Sequence, residues 1–252
     1  ESIPKVLRLA ADHEDVNAAV GGHPDNVGEL DEESFAKLRT AAQQGIYEGG
    51  SQEGSEDAGA AEQEACGGGP STVVCDRAKV VAIGEIGLDH HWMVAPREVQ
   101  KQWFVRQAEL AMELGLPVII HSRDAAEDTM ETVRSLAKTG DFRAVMHCYS
   151  YSPEQAREYL DMGLYLGIGG VVTFKNARKL VETVKLAPLE RLLTETDCPY
   201  LAPEPFRGKR NSSLYLPYVV EKIAQIKGID REEVERVLYE NALRFFFPEK
   251  DR

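Results

Sequence analysis

Glu85, His121, His147 and Asp197 have the types and spacing of a hydrolytic metal centre. Each stands in or just beyond an apolar run. Glu85 lies within Val80-Val-Ala-Ile-Gly-Glu-Ile-Gly-Leu-Asp89, His121 ends Pro117-Val-Ile-Ile-His, His147 ends Ala144-Val-Met-His, and Asp197 follows Leu192-Leu-Thr-Glu-Thr. The gaps are 36 residues from Glu85 to His121, 26 from His121 to His147 and 50 from His147 to Asp197. The first two gaps each fit one strand–helix unit, and the third fits two. Imidazole with carboxylate suits Zn²⁺, Mn²⁺ or, less readily, Mg²⁺. Each residue also has a plainer reading. A lone histidine after a strand is commonly a hydrogen-bonded structural residue, and Asp197 could cap a turn ahead of Pro199. Two histidines at matching points of consecutive units favour ligands. Glu85 interrupts an apolar strand, where an unpaired carboxylate is costly unless a cation meets it.

The elements that must position these residues follow from the apolar pattern. Strand-like runs fall at Val16–Val20, Val80–Ile86, Leu116–Ile120, Arg143–Met146, Leu164–Ile168 and Leu192–Thr196. They are nearly continuous rather than alternating, as expected of strands covered on both faces. Helices between them carry caps: Asp31 ahead of Glu32–Gln44 with Gly45 behind, Pro96 at one start with Gly115 at its end, Ser152-Pro-Glu-Gln155, and Asp230-Arg-Glu-Glu233. Pro4–Ala11 reads as a leading helix. Strand and helix in alternation imply an α/β fold with a parallel sheet and right-handed crossovers. The expectation is a TIM-like (β/α) barrel in one domain, residues 1–252, incomplete at about six of eight strands. In such a barrel, residues at the carboxyl ends of strands converge on one face.

Residues 46–77, rich in Gly, Ala, Ser and Glu, read as a flexible low-complexity insertion. It joins a helix to the next strand, which puts it on the face opposite the chemistry and predicts little effect there. The net charge of −13 argues against a basic polyanion-binding surface, although bound cations can supply positive charge locally. No apolar run has membrane-spanning length, and the first residues lack a secretory pattern. Cys66, Cys75, Cys148 and Cys198 form no C-x-x-C pair and read as free thiols of a cytoplasmic protein. Neither Cys148 nor Cys198 has the partners of a nucleophile. His13 reads as exposed, and His90 and His91 as loop residues of the surface or the site. Trp92 and Trp103 read as packing residues.

Six motifs occur in order: Gly22-His23-Pro24, Gly84-Glu85-Ile86-Gly87-Leu88-Asp89, Pro117-Val-Ile-Ile-His121-Ser-Arg123-Asp124-Ala125, His147-Cys-Tyr-Ser150, Glu195-Thr-Asp197-Cys-Pro-Tyr-Leu-Ala-Pro203 and Arg207-Gly-Lys-Arg-Asn211. With them the chain resembles the TatD-type metal-dependent deoxyribonucleases, a branch of the amidohydrolase-like barrels. The resemblance implies two divalent metal ions (Mg, Mn or Zn). It implies that Glu85 bridges them, that His121 and His147 bind one, and that Asp197 binds the other and orients or deprotonates the attacking water. It makes Glu85 and Asp197 the catalytic pair. His23 and Arg123 would then lie near the scissile phosphate, and Arg207 and Asn211 at the substrate rim. Two departures stand out. The family's His-x-His pair on a first strand has no counterpart here, and Asp25 stands where many relatives have a second polar residue, often His, soon after His-Pro.

The activity implied is cleavage of DNA phosphodiester bonds by metal-activated water, with single strands or ends as substrate and neither a membrane nor a stable protein partner involved. Two rival readings share these residues. The same hydroxide attacks carbonyls, which gives an amide or ester hydrolase. A chain lacking the leading strand could also be a truncated, inactive member.

Overall fold

The computed structural model describes residues 2–48 and 72–248. These divide into two compact units, residues 2–21 with 30–48 and 72–81, and residues 22–29 with 82–248.

The first unit holds helix α1 (Ser2–Asp12), strand β1 (Ala18–Val20), helix α2 (Glu32–Gln44) and a small antiparallel pair, β2 (Ile46–Glu48) and β3 (Thr72–Val74). The Asp31 carboxylate accepts from the Ser34 N–H at 2.8 Å, which satisfies one of the free amides that open α2. Gly45 ends the helix in the left-handed region at φ 69, as Gly does where a side chain would be strained. Leu7, Ala10, Phe35, Leu38, Ala41 and Ala42 are buried. The flanks of the low-complexity segment are thus ordered: Ile46 pairs with Val74, and the Cys75 N–H donates to the Gly45 carbonyl at 2.8 Å. The expected insertion reaches too far at both ends, because β-branched Ile46, Thr72, Val73 and Val74 can pair as strands. Residues 49–71, and Cys66 among them, lie outside the described residues.

The second unit is a run of strand–helix repeats. Strand β4 (Val80–Asp89, all but its first two residues in this unit) is followed by α3 (Arg97–Leu114), β5 (Val118–Arg123), α4 (Ala126–Leu136), β6 (Ala144–Met146), α5 (Pro153–Asp161), β7 (Tyr165–Ile168), α6 (Arg178–Leu186) and β8 (Leu192–Thr194). Helices α7 (Leu216–Lys227) and α8 (Arg231–Phe246) close it. Strands β4 to β8 are hydrogen-bonded in sequence order and are parallel throughout. The sixth expected strand, Val16–Val20, is β1. Strand β8 ends the strand order, so the sheet is open and no barrel closes among the described residues. The fold is therefore α/β with a parallel sheet, as the alternation of elements predicts.

Period-2 geometry gives this sheet two different faces. Val118, Ile120, Ala144, Met146, Leu166, Ile168 and Leu192 are all buried. Ile119, Val145, Tyr165 and Leu193 occupy the alternate positions and pack with Phe245 and Phe246 of α8. Two residues further along the strands, that second face continues into His121, His147, Gly167 and Glu195. The apolar cluster is thus the floor beneath the polar residues. Asn241, fully buried, anchors α8 by donating to the carbonyls of Leu189 and Leu192 at 2.8 and 2.9 Å.

Candidate metal centre

Glu85 reaches the site through an irregularity in β4. Ile83 pairs with Val118 and Ile86 with Ile120, so three steps on β4 oppose two on β5. The extra residue is a bulge, which re-aims a side chain that regular alternation would place elsewhere. Glu85 is accordingly the only member of this strand that is not buried among Val80–Asp89. Gly84 and Gly87 permit the close approach. A Cβ on Gly84 would lie 2.6 Å from that of Ile119, and one on Gly87 would lie 2.0 Å from the His121 carbonyl oxygen.

The carboxylate of Glu85 sits between two imidazoles. Its Oε2 is 3.6 Å from Nδ1 of His121 and its Oε1 is 3.5 Å from Nε2 of His147. Asp197 joins from the loop after β8, with Oδ1 also 3.5 Å from Nε2 of His147. The opposite nitrogen of each ring is already committed. His121 Nε2–H donates to Asp89 at 3.0 Å, and His147 Nδ1–H donates to Glu195 at 2.9 Å. Carboxylates in these places fix the ring orientation and leave the nitrogen facing Glu85 with a lone pair for a cation, the usual support of metal-binding histidines.

Asp89 and Glu195 carried no role in the sequence reading. Asp89 is 1 % exposed and also accepts from the N–H groups of His91 and Trp92, both at 2.9 Å. Buried Gln100 closes around its backbone, accepting from the Asp89 N–H at 2.8 Å and donating to the Asp89 carbonyl at 3.0 Å. Glu195 also accepts from the Cys148 N–H at 2.5 Å. It lies across Gly167, where a Cβ would meet its Oε2 at 2.3 Å. The available signal was a carboxylate at a strand end near each histidine: Asp89 closes β4, two residues beyond the partner of His121 on neighbouring β5, and Glu195 precedes Asp197 by two.

The four expected ligands are brought together with His23, Asp25, Asp89 and Arg123 around one cavity of about 770 Å³. His23 packs edge-on against His121, with ring centroids 4.4 Å apart. Its loop is held by Gln107, which accepts from the Gly22 N–H at 2.7 Å and donates to the Gly22 carbonyl at 3.2 Å. Donor atoms of His23, Glu85 and His121 lie within 4.8 Å of one another, as do those of His147, Cys148 and Asp197. His23, expected beside the phosphate, thus stands equally well placed for a cation. Asn211, expected at the substrate rim, is 4 % exposed and donates to the carbonyls of Thr196 and Tyr200 at 2.6 and 2.7 Å. It holds the loop that carries Asp197. Arg207 lies with its guanidinium 4.3 Å above the Phe174 ring. Neither Asn211 nor Arg207 lines the cavity. Trp92 departs from its expected packing role, since it is 61 % exposed at the cavity mouth. Its β4–α3 loop is tied back to Asp89, which takes up the N–H groups of His91 and Trp92.

These residues fit divalent cations. Nitrogen and carboxylate oxygen converge, and Asp25 Oδ1 is buried on the cavity wall without a hydrogen-bond partner among the described residues. The five positive-φ non-glycine residues among those described are Met93, Asp124, Cys148, Asp197 and Leu201. All lie in loops after β4, β5, β6 and β8, at the end of the sheet where the candidate ligands stand, and backbone strain tends to cluster at functional sites. Burial, with the charges of Glu195 and Asp197 added, pushes the Cys148 thiol up to about 12, so it stays protonated.

Protons bind the same atoms a cation would. Burial lowers the pKa of His121, but hydrogen bonds and charge from Glu85 and Asp89 outweigh it and raise the group above 6.5. His147 is likewise raised, with burial overcome by Asp197, Cys148 and Glu195. Glu85 and Asp89 are lowered despite burial, Glu85 chiefly by His121 and His147 and Asp89 chiefly by the N–H of Trp92 and by His121. A raised histidine stabilises the metal-free fold fully below 6.5 and loses that contribution as pH rises. A lowered carboxylate stabilises above its ordinary value, 4.5 for Glu85, and loses the contribution on acidification. The metal-free melting temperature is therefore expected to peak between these values and to fall toward pH 9. Cation affinity is expected to rise over the same alkaline range, because binding expels the protons. Thermal melts in EDTA and in Mn²⁺ from pH 4 to pH 9 check both, and a melting temperature in EDTA that climbs steadily from pH 6 to pH 9 would contradict the first.

The chain matches the family of TatD related DNases over residues 1–247. It is 39 % identical over 245 residues to the metal-dependent hydrolase YabD of Bacillus subtilis, covering 97 % of this chain and 83 % of that protein. It is 40 % identical over 173 residues to the metal-dependent hydrolase YcfH of Escherichia coli, covering 69 % of this chain and 65 % of YcfH. Among solved structures it is similar to YjjV, a TatD homologue of E. coli, with a TM-score of 0.79 and 26 % identity, over 97 % of this chain and 82 % of that one. A TatD family hydrolase of Entamoeba histolytica shares the fold at a TM-score of 0.76 and 22 % identity, over 98 % of this chain and 81 % of that one. No described helix is long and apolar enough to cross a membrane. The match over nearly the full length, with imidazoles and carboxylates gathered where the strands of the parallel sheet end, makes this chain a metal-dependent hydrolase of the TatD family.

Proposed function

We propose that the chain hydrolyses phosphodiester bonds of DNA, acting on single strands or strand ends. The observation that carries this reading is the arrangement of Glu85 between His121 and His147 in a cavity that Arg123 also lines. Glu85, His121, His147 and Asp197 would hold divalent cations. The chemistry that bound cations would supply there is a hydroxide near neutral pH and polarisation of the phosphoryl oxygen. Asp197 would accept the proton of the attacking water. Arg123 would neutralise charge that develops on the phosphoryl oxygens. Asp89 and Glu195 keep the two imidazoles oriented through the reaction. The unpaired thiols of Cys75, Cys148 and Cys198 suit a cytoplasmic site of action.

The test is a digest of end-labelled single-stranded and duplex DNA with Mg²⁺ or Mn²⁺, run beside amide and ester substrates. Cleavage of single strands and ends ahead of closed circular duplex is the expected result. Hydrolysis of amides or esters without phosphodiester cleavage would transfer the site to carbonyl chemistry.

A further inference from the structure

The cavity that holds Glu85 and His147 has two aromatic walls that the chemistry above leaves unused. Trp92 is 61 % exposed and Tyr200 is 70 % exposed, and both line it. Leaving a Trp and a Tyr in water forgoes burial that the fold could otherwise use, and exposed aromatics beside a polar cleft mark a binding surface. Neither ring hangs on a loose loop. The Trp92 N–H is bonded to Asp89, the residue that orients His121. The Tyr200 N–H donates to the Asp197 carbonyl at 2.8 Å, and Asn211 donates to the Tyr200 carbonyl at 2.7 Å. The main chain beneath each ring is thereby tied to a residue of the candidate centre. A surface held this way binds at low entropic cost. The Arg123 guanidinium lies over one face of the Trp92 ring, 5.4 Å from its centroid, and His91 packs edge-on against the same ring at 4.8 Å, so the free part of the ring adjoins the group proposed to meet a phosphate.

We propose that Trp92 and Tyr200 form a stacking site for unpaired nucleobases next to the phosphate held by Arg123. The proposal rests on the phosphodiesterase reading and narrows its substrate to single-stranded DNA that carries bases. A base inside a duplex offers no free face, whereas every unpaired base does, so this device selects for strandedness without selecting for sequence. It also supplies affinity that the net charge of −13 cannot provide through a basic groove.

The experiment compares the unaltered chain with Trp92→Ala, Trp92→Phe and Tyr200→Ala. Each is assayed with Mn²⁺ on a thymidine decamer and on the same strand with abasic tetrahydrofuran residues. Binding of both strands is measured by fluorescence anisotropy in Ca²⁺. The wild type is expected to favour the base-bearing strand in kcat/KM by about 5- to 150-fold, the worth of stacking one base. The preference should reside in KM, collapse in Trp92→Ala, shrink in Tyr200→Ala and return in Trp92→Phe. Equal use of both strands by the wild type overturns the stacking site while leaving phosphodiester chemistry standing. The same holds if Trp92→Ala loses equally on both strands, which would mark a structural role. If the wild type cleaves neither strand yet binds the base-bearing one through Trp92, the stacking site stands and the phosphodiesterase reading fails. If it neither cleaves nor binds, both fall.

Discussion

Glu85→Gln is expected to abolish cation uptake and, with it, hydrolysis. Both oxygens of this carboxylate face imidazole nitrogens, at 3.6 and 3.5 Å, and no other described side chain stands within ion-pair distance of both rings. An amide keeps the size and loses the charge, so the pocket survives while the counter-charge shared by the two sides disappears. Removing a residue that merely supports a metal ligand costs about 10–100-fold in affinity. Removal of a group between both ligand sets should exceed roughly 100-fold on the same scale. Isothermal titration with Mn²⁺ reads the effect directly, and circular dichroism shows whether the fold is intact. A Glu85→Gln variant that binds cation with unchanged affinity would remove Glu85 from the centre.

The second large effect is on folding. Gly87→Ala is expected to destabilise the chain by about 2–6 kcal/mol, the combined range for a strained backbone and an overpacked contact. Gly87 has φ 142, and its Cβ would sit 2.0 Å from the His121 carbonyl oxygen and 3.0 Å from the carbonyl carbon. Those atoms are backbone of the paired strand and cannot rotate away. Relief would need β4 and β5 to separate where Gly87 pairs with His121, so cation uptake should fall as well. Gly115→Ala is the control. Its φ of 65 is also left-handed, but no atom lies within 4 Å of the added Cβ, so its cost should be only about 1 kcal/mol. Urea unfolding of the two variants separates steric clash from backbone preference. Equal midpoints would show that the interstrand contact relaxes freely.

Much of this protein is determined locally. Apolar runs, the Asp31, Ser152 and Asp230 caps, and Gly45 and Gly115 place most elements to within a few residues, because periodicity and capping act over one or two helical turns. Parallel order follows from alternation, and that order is enough to predict that Glu85, His121, His147 and Asp197 meet. Element ends were less legible. β5 runs on through His121 to Arg123, and β4 through Glu85 to Asp89, since a polar residue can stay in a strand when a neighbouring strand pairs its backbone.

Tertiary structure decided what each nitrogen faces. That His121 and His147 turn one nitrogen to Glu85 and the other to Asp89 and Glu195 depends on a bulge in β4 and on the space above Gly167, neither of which has a local signature. It also reassigned residues that look alike in sequence. Asn211 is buried support for the Asp197 loop rather than rim, and Trp92 is an open wall of the cavity rather than core. The physical reason is range. Helix caps and strand runs are set by neighbours a few residues away, whereas the orientation of a ring is set by a carboxylate 32 or 48 residues distant, whose position exists only after the sheet has formed.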